Sequence, residues 1–302
     1  MHEERTTVID AHLHLYPGKE GFDPEALVNS SVVHGAWMLS ANGIVQGQAT
    51  DEDVVELGRR YPDFFVPFGY LDFDEAGPDR IDRLFDMGCV GLKAIFPGKA
   101  YDDPELLPWY ERAAAHHMPI LFHVGGASYW RPASATDPGV PMRSAGGAMM
   151  TIPCGPRGYI KNMDPLCIDA VAKTFPDLPL IMAHLGGTAC FYDMARNVCH
   201  CNPNVYMDCS AAPKDEMLRG IRHGAGPEQI LFGSDGSYPN SVRRAQEKIA
   251  CFRYLETHDR EAREAYGPGL HEKYRGTDAI RRMVMGTNAQ RIVDQARARQ
   301  AR

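Results

Sequence analysis

The chain has 302 residues, 44% of them hydrophobic and 24% charged, with a formal net charge of −7. That length suits one large α/β barrel or two ordinary domains, and it can bury a core without disulfides or structural metals. The negative balance argues against nucleic acid as the main partner, and no run approaches the roughly 18 consecutive apolar residues of a membrane span.

The opening MHEERTTVID is charged and has no apolar h-region, so a cytoplasmic protein is expected. The eight cysteines are spread from Cys89 to Cys251 without paired spacing, and the run CHC at Cys199 to Cys201 is too tight to chelate one ion well. Reduced thiols fit this pattern better than a disulfide framework or a zinc finger. The basic end, RIVDQARARQAR, reads as the exposed end of a helix rather than a binding arm.

In chain order, short apolar runs alternate with helix-like stretches. The predicted strands are TVIDAHLHL from Thr7, VVHGAWML from Val32, FVPFGYLDF from Phe65 and CVGLKAIF from Cys89. They continue with PILFHVGG from Pro119, PLIMAHLGG from Pro179, VYMDCSA from Val205 and ILFGSDGS from Ile230. Each is rich in Val, Ile, Leu and Phe, and most end in Gly, Ser or Pro. Gly35 and Ala36 interrupt the second.

Between the strands, GPDRIDRLFDMG carries Ile81, Leu84 and Phe85 on one side and stops at Gly88. DDPELLPWYERAAAHH opens at Asp103 and Pro104; DPLCIDAVAKTFP opens at Asp164 and Pro165 and lines up Ile168, Val171, Ala172 and Phe175. Near-continuous apolar strands alternating with helices predict a parallel sheet covered by helices. Eight such strands in roughly 240 residues predict a (β/α)₈ TIM barrel, one domain over 1–302, with additional helices from about Tyr238. The long stretch over 127–163 follows the fifth strand, on the face where barrel active sites sit.

Polar residues fall late in the strands: His12 and His14 in the first, Lys93 in the fourth, His123 in the fifth, His184 in the sixth and Asp235 in the eighth. Any one histidine in an apolar strand is more often a hydrogen-bonded core residue, Lys93 alone could be ion-paired, and Asp235 alone could cap a turn. The set is harder to obtain from packing, because a core penalises buried ionisable groups. Imidazoles and a carboxylate converging on one barrel mouth describe a catalytic metal site. Such ligands suit Zn, with Mn or Fe as alternatives.

The Asp-x-His-x-His first strand, the later strands ending in His and the GSD of the last resemble the amidohydrolase superfamily. GLKAIFPGKAYDDPELLPWYERAAAHHMPILFHVGG, FPDLPLIMAHLGG, NPNVYMDCS and GTNAQRIV resemble its amidohydrolase-related branch. That branch includes aminocarboxymuconate-semialdehyde decarboxylase, resorcylate-type decarboxylases and many metal-dependent hydrolases. The resemblance implies that His12, His14, His123 and Asp235 ligate one divalent metal. It implies that His184 orients or deprotonates a metal-bound water, or binds a second metal, with Asp235 also carrying protons. A second metal bridged by a carboxylated Lys93 is the binuclear alternative; with one metal, a free Lys93 could hold a substrate carboxylate or be structural.

The run DGSYPN departs from the branch, where an aromatic residue and Pro follow the aspartate directly. In the loop after strand five, Tyr129 and Arg131 would suit a planar, carboxylated substrate, although ordinary loop packing explains them equally well. No phosphate loop, dinucleotide motif or serine-hydrolase elbow is present. The expected partner is a small-molecule substrate, and the family-level expectation for assembly is a homodimer. The chain is compact for the decarboxylases and its loop past Asp235 differs. The leading expectation is therefore a metal-dependent hydrolase of a lactone, amide or similar carbonyl, with a non-oxidative decarboxylase of an aromatic or muconate-like acid as the alternative.

Overall fold

A computed structural model describes residues 6–18, 23–42, 47–74, 77–126, 140–143, 149–152, 159–187, 191–224 and 226–302. Every predicted strand forms, though each is shorter than its apolar run. They are β1 (Ile9–Leu13), β2 (Gly35–Leu39), β3 (Phe65–Leu71), β4 (Gly91–Ala94) and β5 (Ile120–Phe122). After the pair β6 (Val140–Arg143) and β7 (Met149–Ile152) come β8 (Leu180–Met182), β9 (Val205–Asp208) and β10 (Ile230–Leu231). The second begins at the glycine that looked like an interruption.

Eight of these strands form one sheet in the order β1-β2-β3-β4-β5-β8-β9-β10, and every pairing in it is parallel. The first strand meets the last across the seam. Ala11 N–H donates to Phe232 C=O at 2.9 Å, Asp235 N–H to His12 C=O at 2.8 Å and His14 N–H to Gly236 C=O at 3.0 Å. The sheet is thus a TIM barrel. The antiparallel pair β6 and β7 stands apart from it, within the long stretch after β5.

The helices are α1 (Pro24–Val28), α2 (Asp51–Arg60), α3 (Asp79–Met87), α4 (Leu107–Ala115), α5 (Cys167–Thr174) and α6 (Tyr192–Cys201). They continue as α7 (Lys214–His223), α8 (Asn240–Thr257), α9 (Asp259–Tyr266), α10 (Pro268–Lys273), α11 (Thr277–Arg282) and α12 (Asn288–Gln300). Their ends follow local chemistry. Thr50 and Asp53 form a reciprocal capping box on α2, and Gly88 ends α3 in the left-handed conformation. Asp164 acts one turn ahead of α5, its carboxylate accepting Leu166 N–H.

Two apolar layers result. The larger lies between the barrel wall and the helices, with Leu13, Val54, Leu84, Leu92, Phe122 and Ile168 among its members. The smaller fills the lower barrel with Trp37, Phe68, Leu121, Ile181 and Leu231, joined by Ile292 and Val293 of α12. The last helix therefore plugs the end of the barrel opposite the strand C-termini. A π-helical turn over Met283–Thr287 precedes it. Gly286 lies so close to the chain there that a Cβ would sit 2.2 Å from Thr7 O. Among the described residues, no helix is long and apolar enough to cross a membrane.

Candidate metal centre

The first strand does not alternate evenly. Ile9 and Ala11 belong to the inner layer, while Asp10 reaches outward to α8, where its carboxylate accepts Ser241 Oγ–H at 2.5 Å. Even alternation would turn His12 outward with Asp10. Instead the register against β2 shifts between Asp10 and Leu13. Such irregularities re-aim side chains at barrel rims. Leu13 then packs in the outer layer, and His12 and His14 face the barrel together.

Three candidate ligand atoms meet there. His12 Nε2 is 3.1 Å from His14 Nε2 and 3.5 Å from Asp235 Oδ1, and His14 Nε2 is 3.4 Å from the same oxygen. Ligands held about 2.0–2.2 Å from one tetrahedral ion lie about 3.3–3.6 Å apart, so the triangle has the size of one face of such a site. His184 closes in from β8: among the described residues, His12, His184 and Asp235 each place a ligand atom within 4.8 Å of the other two. His123 meets the group through His184, its Nδ1 3.3 Å from His184 Nε2, and its own Nε2 is buried without a partner. A buried nitrogen with no partner is costly unless something binds it. The residues present therefore fit a divalent cation.

Backbone strain marks the same points. His184, Leu185 and Asp235 all have positive φ, at 58°, 53° and 52°. Non-glycine residues take that conformation only where the surroundings compel it. Gly187 completes the turn after β8 at φ 93°, so close to the segment following β5 that a Cβ would sit 2.1 Å from Val124 O.

Burial and neighbouring charge set the protonation states. Burial, and then the Lys93 ammonium, push His12 down to about 3, so its imidazole is neutral with a lone pair on Nε2. Burial, His184 and Lys93 hold His123 well below its usual range. For Asp235, burial pushes upward but the His14 hydrogen bond and the nearby imidazoles win, holding it well below the carboxylate range. Its side chain stays 34% exposed, open toward the barrel mouth. Lys93 is fully buried with Nζ 3.5 Å from His12 Nε2, and burial lowers it to about 8.

The sequence reading passed over two residues of this site. Asp208 ends β9 with Oδ2 2.8 Å from His12 Nδ1, and Ser210 Oγ lies 2.8 Å from His184 Nδ1. Both are wholly buried. A carboxylate behind a ligating imidazole fixes its tautomer and raises its basicity. The signal was a polar ending on the seventh apolar run, in the same relative position as the histidines. Tyr129 and Arg131 lie outside the described residues.

An amidohydrolase family model matches residues 9–295. The chain belongs to the amidohydrolase family. None of the curated proteins matches this amidohydrolase in sequence. Among solved structures, it is similar to an uncharacterized TIM-barrel protein from Bordetella bronchiseptica, at 18% identity and a TM-score of 0.64 over 96% of this chain and 99% of that one. It is similar to 2,6-dihydroxybenzoate decarboxylase from Rhizobium at 15% identity and a TM-score of 0.62, covering 96% and 99%. A third is a dihydroxybenzoic acid decarboxylase from Polaromonas, solved with manganese and the inhibitor 2-nitroresorcinol, at 16% identity and a TM-score of 0.58 over 98% and 99%.

Proposed function

We propose that this amidohydrolase is a divalent-metal-dependent hydrolase acting on a lactone, amide or similar carbonyl of a small carboxylated substrate. The observation that carries the reading is the triangle of His12, His14 and Asp235 with two further imidazoles beside it. In this reading His12, His14, His123 and Asp235 hold the ion, with zinc first and manganese or iron also suited to the donor set. When bound, such an ion polarises a carbonyl and makes hydroxide available near neutral pH.

The remaining work falls to the chain. His184 Nε2 takes the proton of the attacking water, and the Asp235 oxygen turned away from His12 and His14 shuttles a proton toward the leaving group. Lys93, a buried cation beside the histidines, attracts a substrate carboxylate.

A second reading is a non-oxidative decarboxylase of an aromatic or muconate-like acid. It is favoured by the likeness in fold, over nearly the whole chain, to two dihydroxybenzoate decarboxylases. One experiment separates the two. Protein loaded with zinc or manganese is given panels of lactones, amides and aromatic acids, with acid release and CO₂ release followed separately. Acid release without CO₂ is expected. CO₂ from an aromatic acid, with every ester and amide untouched, would move the assignment to the decarboxylase. No turnover in either panel by a fully loaded protein would overturn both.

A further inference from the structure

Asp208 and Ser210 touch two of the site imidazoles at once. Asp208 Oδ1 accepts His184 N–H at 3.1 Å and Ser210 N–H at 2.9 Å, and is also hydrogen-bonded to Ser210 Oγ. Its Oδ2 faces His12 Nδ1 at 2.8 Å. Ser210 Oγ in turn lies 2.8 Å from His184 Nδ1 and 3.2 Å from His12 Nδ1. The pocket is packed shut: a Cβ on Gly233 would come 3.3 Å from Asp208 Oδ1 and 3.3 Å from Ser210 Cβ.

Only one placement of protons satisfies these contacts. A carboxylate ringed by donors is an acceptor throughout, so the atom facing Oδ2 must be a protonated Nδ1 on His12. Two oxygens at hydrogen-bonding distance need a proton between them, and the serine hydroxyl has one to give. It goes to Asp208 Oδ1. Ser210 Oγ is then left with lone pairs alone, so His184 must donate to it from Nδ1. That leaves His184 Nε2 bare, and the neighbouring His123 Nδ1, 3.3 Å away, must be the donor to it. His123 Nε2 is consequently a lone pair, which accounts for its lack of a hydrogen-bond partner.

We propose that Asp208 and Ser210 are positioning residues that lock His12, His184 and His123 together in the Nδ1–H tautomer, so that all three Nε2 atoms are unprotonated: those of His12 and His123 stand ready for a metal, and that of His184 accepts from His123 until it is called on as a base. Ser210 is the link through which one carboxylate on β9 governs both a metal-holding imidazole and the base. The proton assignment stands on contacts alone; its consequence for turnover rests on the proposed reaction.

The test is long-range ¹H–¹⁵N correlation spectroscopy of the chelated, metal-free protein with ¹⁵N-labelled histidine, followed by metal titration and kinetics. In the wild type, the ring signals of His12, His184 and His123 should all report protonated Nδ1. Ser210→Ala removes one oxygen from a packed site. It should shift His184 and His123 toward the other tautomer while His12 stays locked by Asp208. Zinc affinity should then fall, because His123 loses its Nε2 lone pair, but by less than in Asp208→Asn, and kcat should fall tenfold or more with KM nearly unchanged. Asp208→Asn, whose amide also donates, should release His12 as well and weaken zinc binding about 10–100-fold. A wild-type His184 protonated at Nε2 would overturn the proposal, as would Ser210→Ala spectra identical to wild type. Tautomers as assigned in a protein that turns over neither substrate panel would uphold the lock and sink only the reaction.

Discussion

Lys93 offers a quantitative test of how the site is built. Burial lowers its amine from an ordinary 10.5 to about 8. Two and a half units correspond to about 3 kcal/mol at about 1.36 kcal/mol each. The folded-state pKa lies below the unfolded one, so the cost of burying the ammonium is fully present below pH 8. Between 8 and 10.5 the unfolded chain binds a proton that the folded one does not, and the stability of the wild type rises with pH. Lys93→Met keeps the apolar stem and removes the charge. For 302 residues the unfolding entropy is about 0.6 kcal/mol per degree, so Tm should rise by about 5 °C at pH 7. That advantage should fade as the pH approaches 10.5. The assay is thermal unfolding by circular dichroism, on chelated protein in bicarbonate-free buffer so that the amine stays uncarboxylated. A variant melting at or below the wild type at pH 7, or an advantage indifferent to pH, would refute the reasoning.

Three further outcomes are expected. His184→Ala should retain most of the bound metal by elemental analysis while turnover drops by orders of magnitude, whereas His123→Ala should lose both; full metal occupancy in the second variant would remove His123 from the ligand set. Gly187→Ala forces a side chain into a left-handed backbone and against Val124 O, and should cost at least ~2 kcal/mol in denaturant unfolding, with kcat falling as the His184 turn shifts. Asp51 pairs with Arg80 at 2.6 Å and accepts Tyr70 N–H at 2.8 Å, all buried. Asp51→Ala takes the carboxylate away from a buried guanidinium and leaves Tyr70 N–H without its acceptor, and should cost about 3–5 kcal/mol, read as a lower urea midpoint at constant slope.

The eight barrel strands, their parallel order and the histidines and Asp235 at the rim were legible in the one-dimensional pattern, whereas the pair β6 and β7 was not. Apolar runs of strand length separated by capped amphipathic stretches leave a covered parallel sheet as the economical way to bury both faces. Ionisable residues at matching strand ends then coincide once that sheet closes. His12, His14, His184 and Asp235 come together on this logic, and His123 joins them at one remove.

What the linear pattern could not supply was orientation. Even alternation along Ile9, Asp10, Ala11 and His12 would have turned His12 away from the site, and the irregular pairing with β2 decides otherwise. Nor could it supply the partners of the imidazoles. Asp208 and Ser210 lie almost two hundred residues from His12, and the polar ending of their apolar run marks them as rim residues without saying which imidazoles they meet. Periodicity records which face of an element is buried; which proton sits on which ring nitrogen depends on neighbours that only closure of the barrel brings within reach.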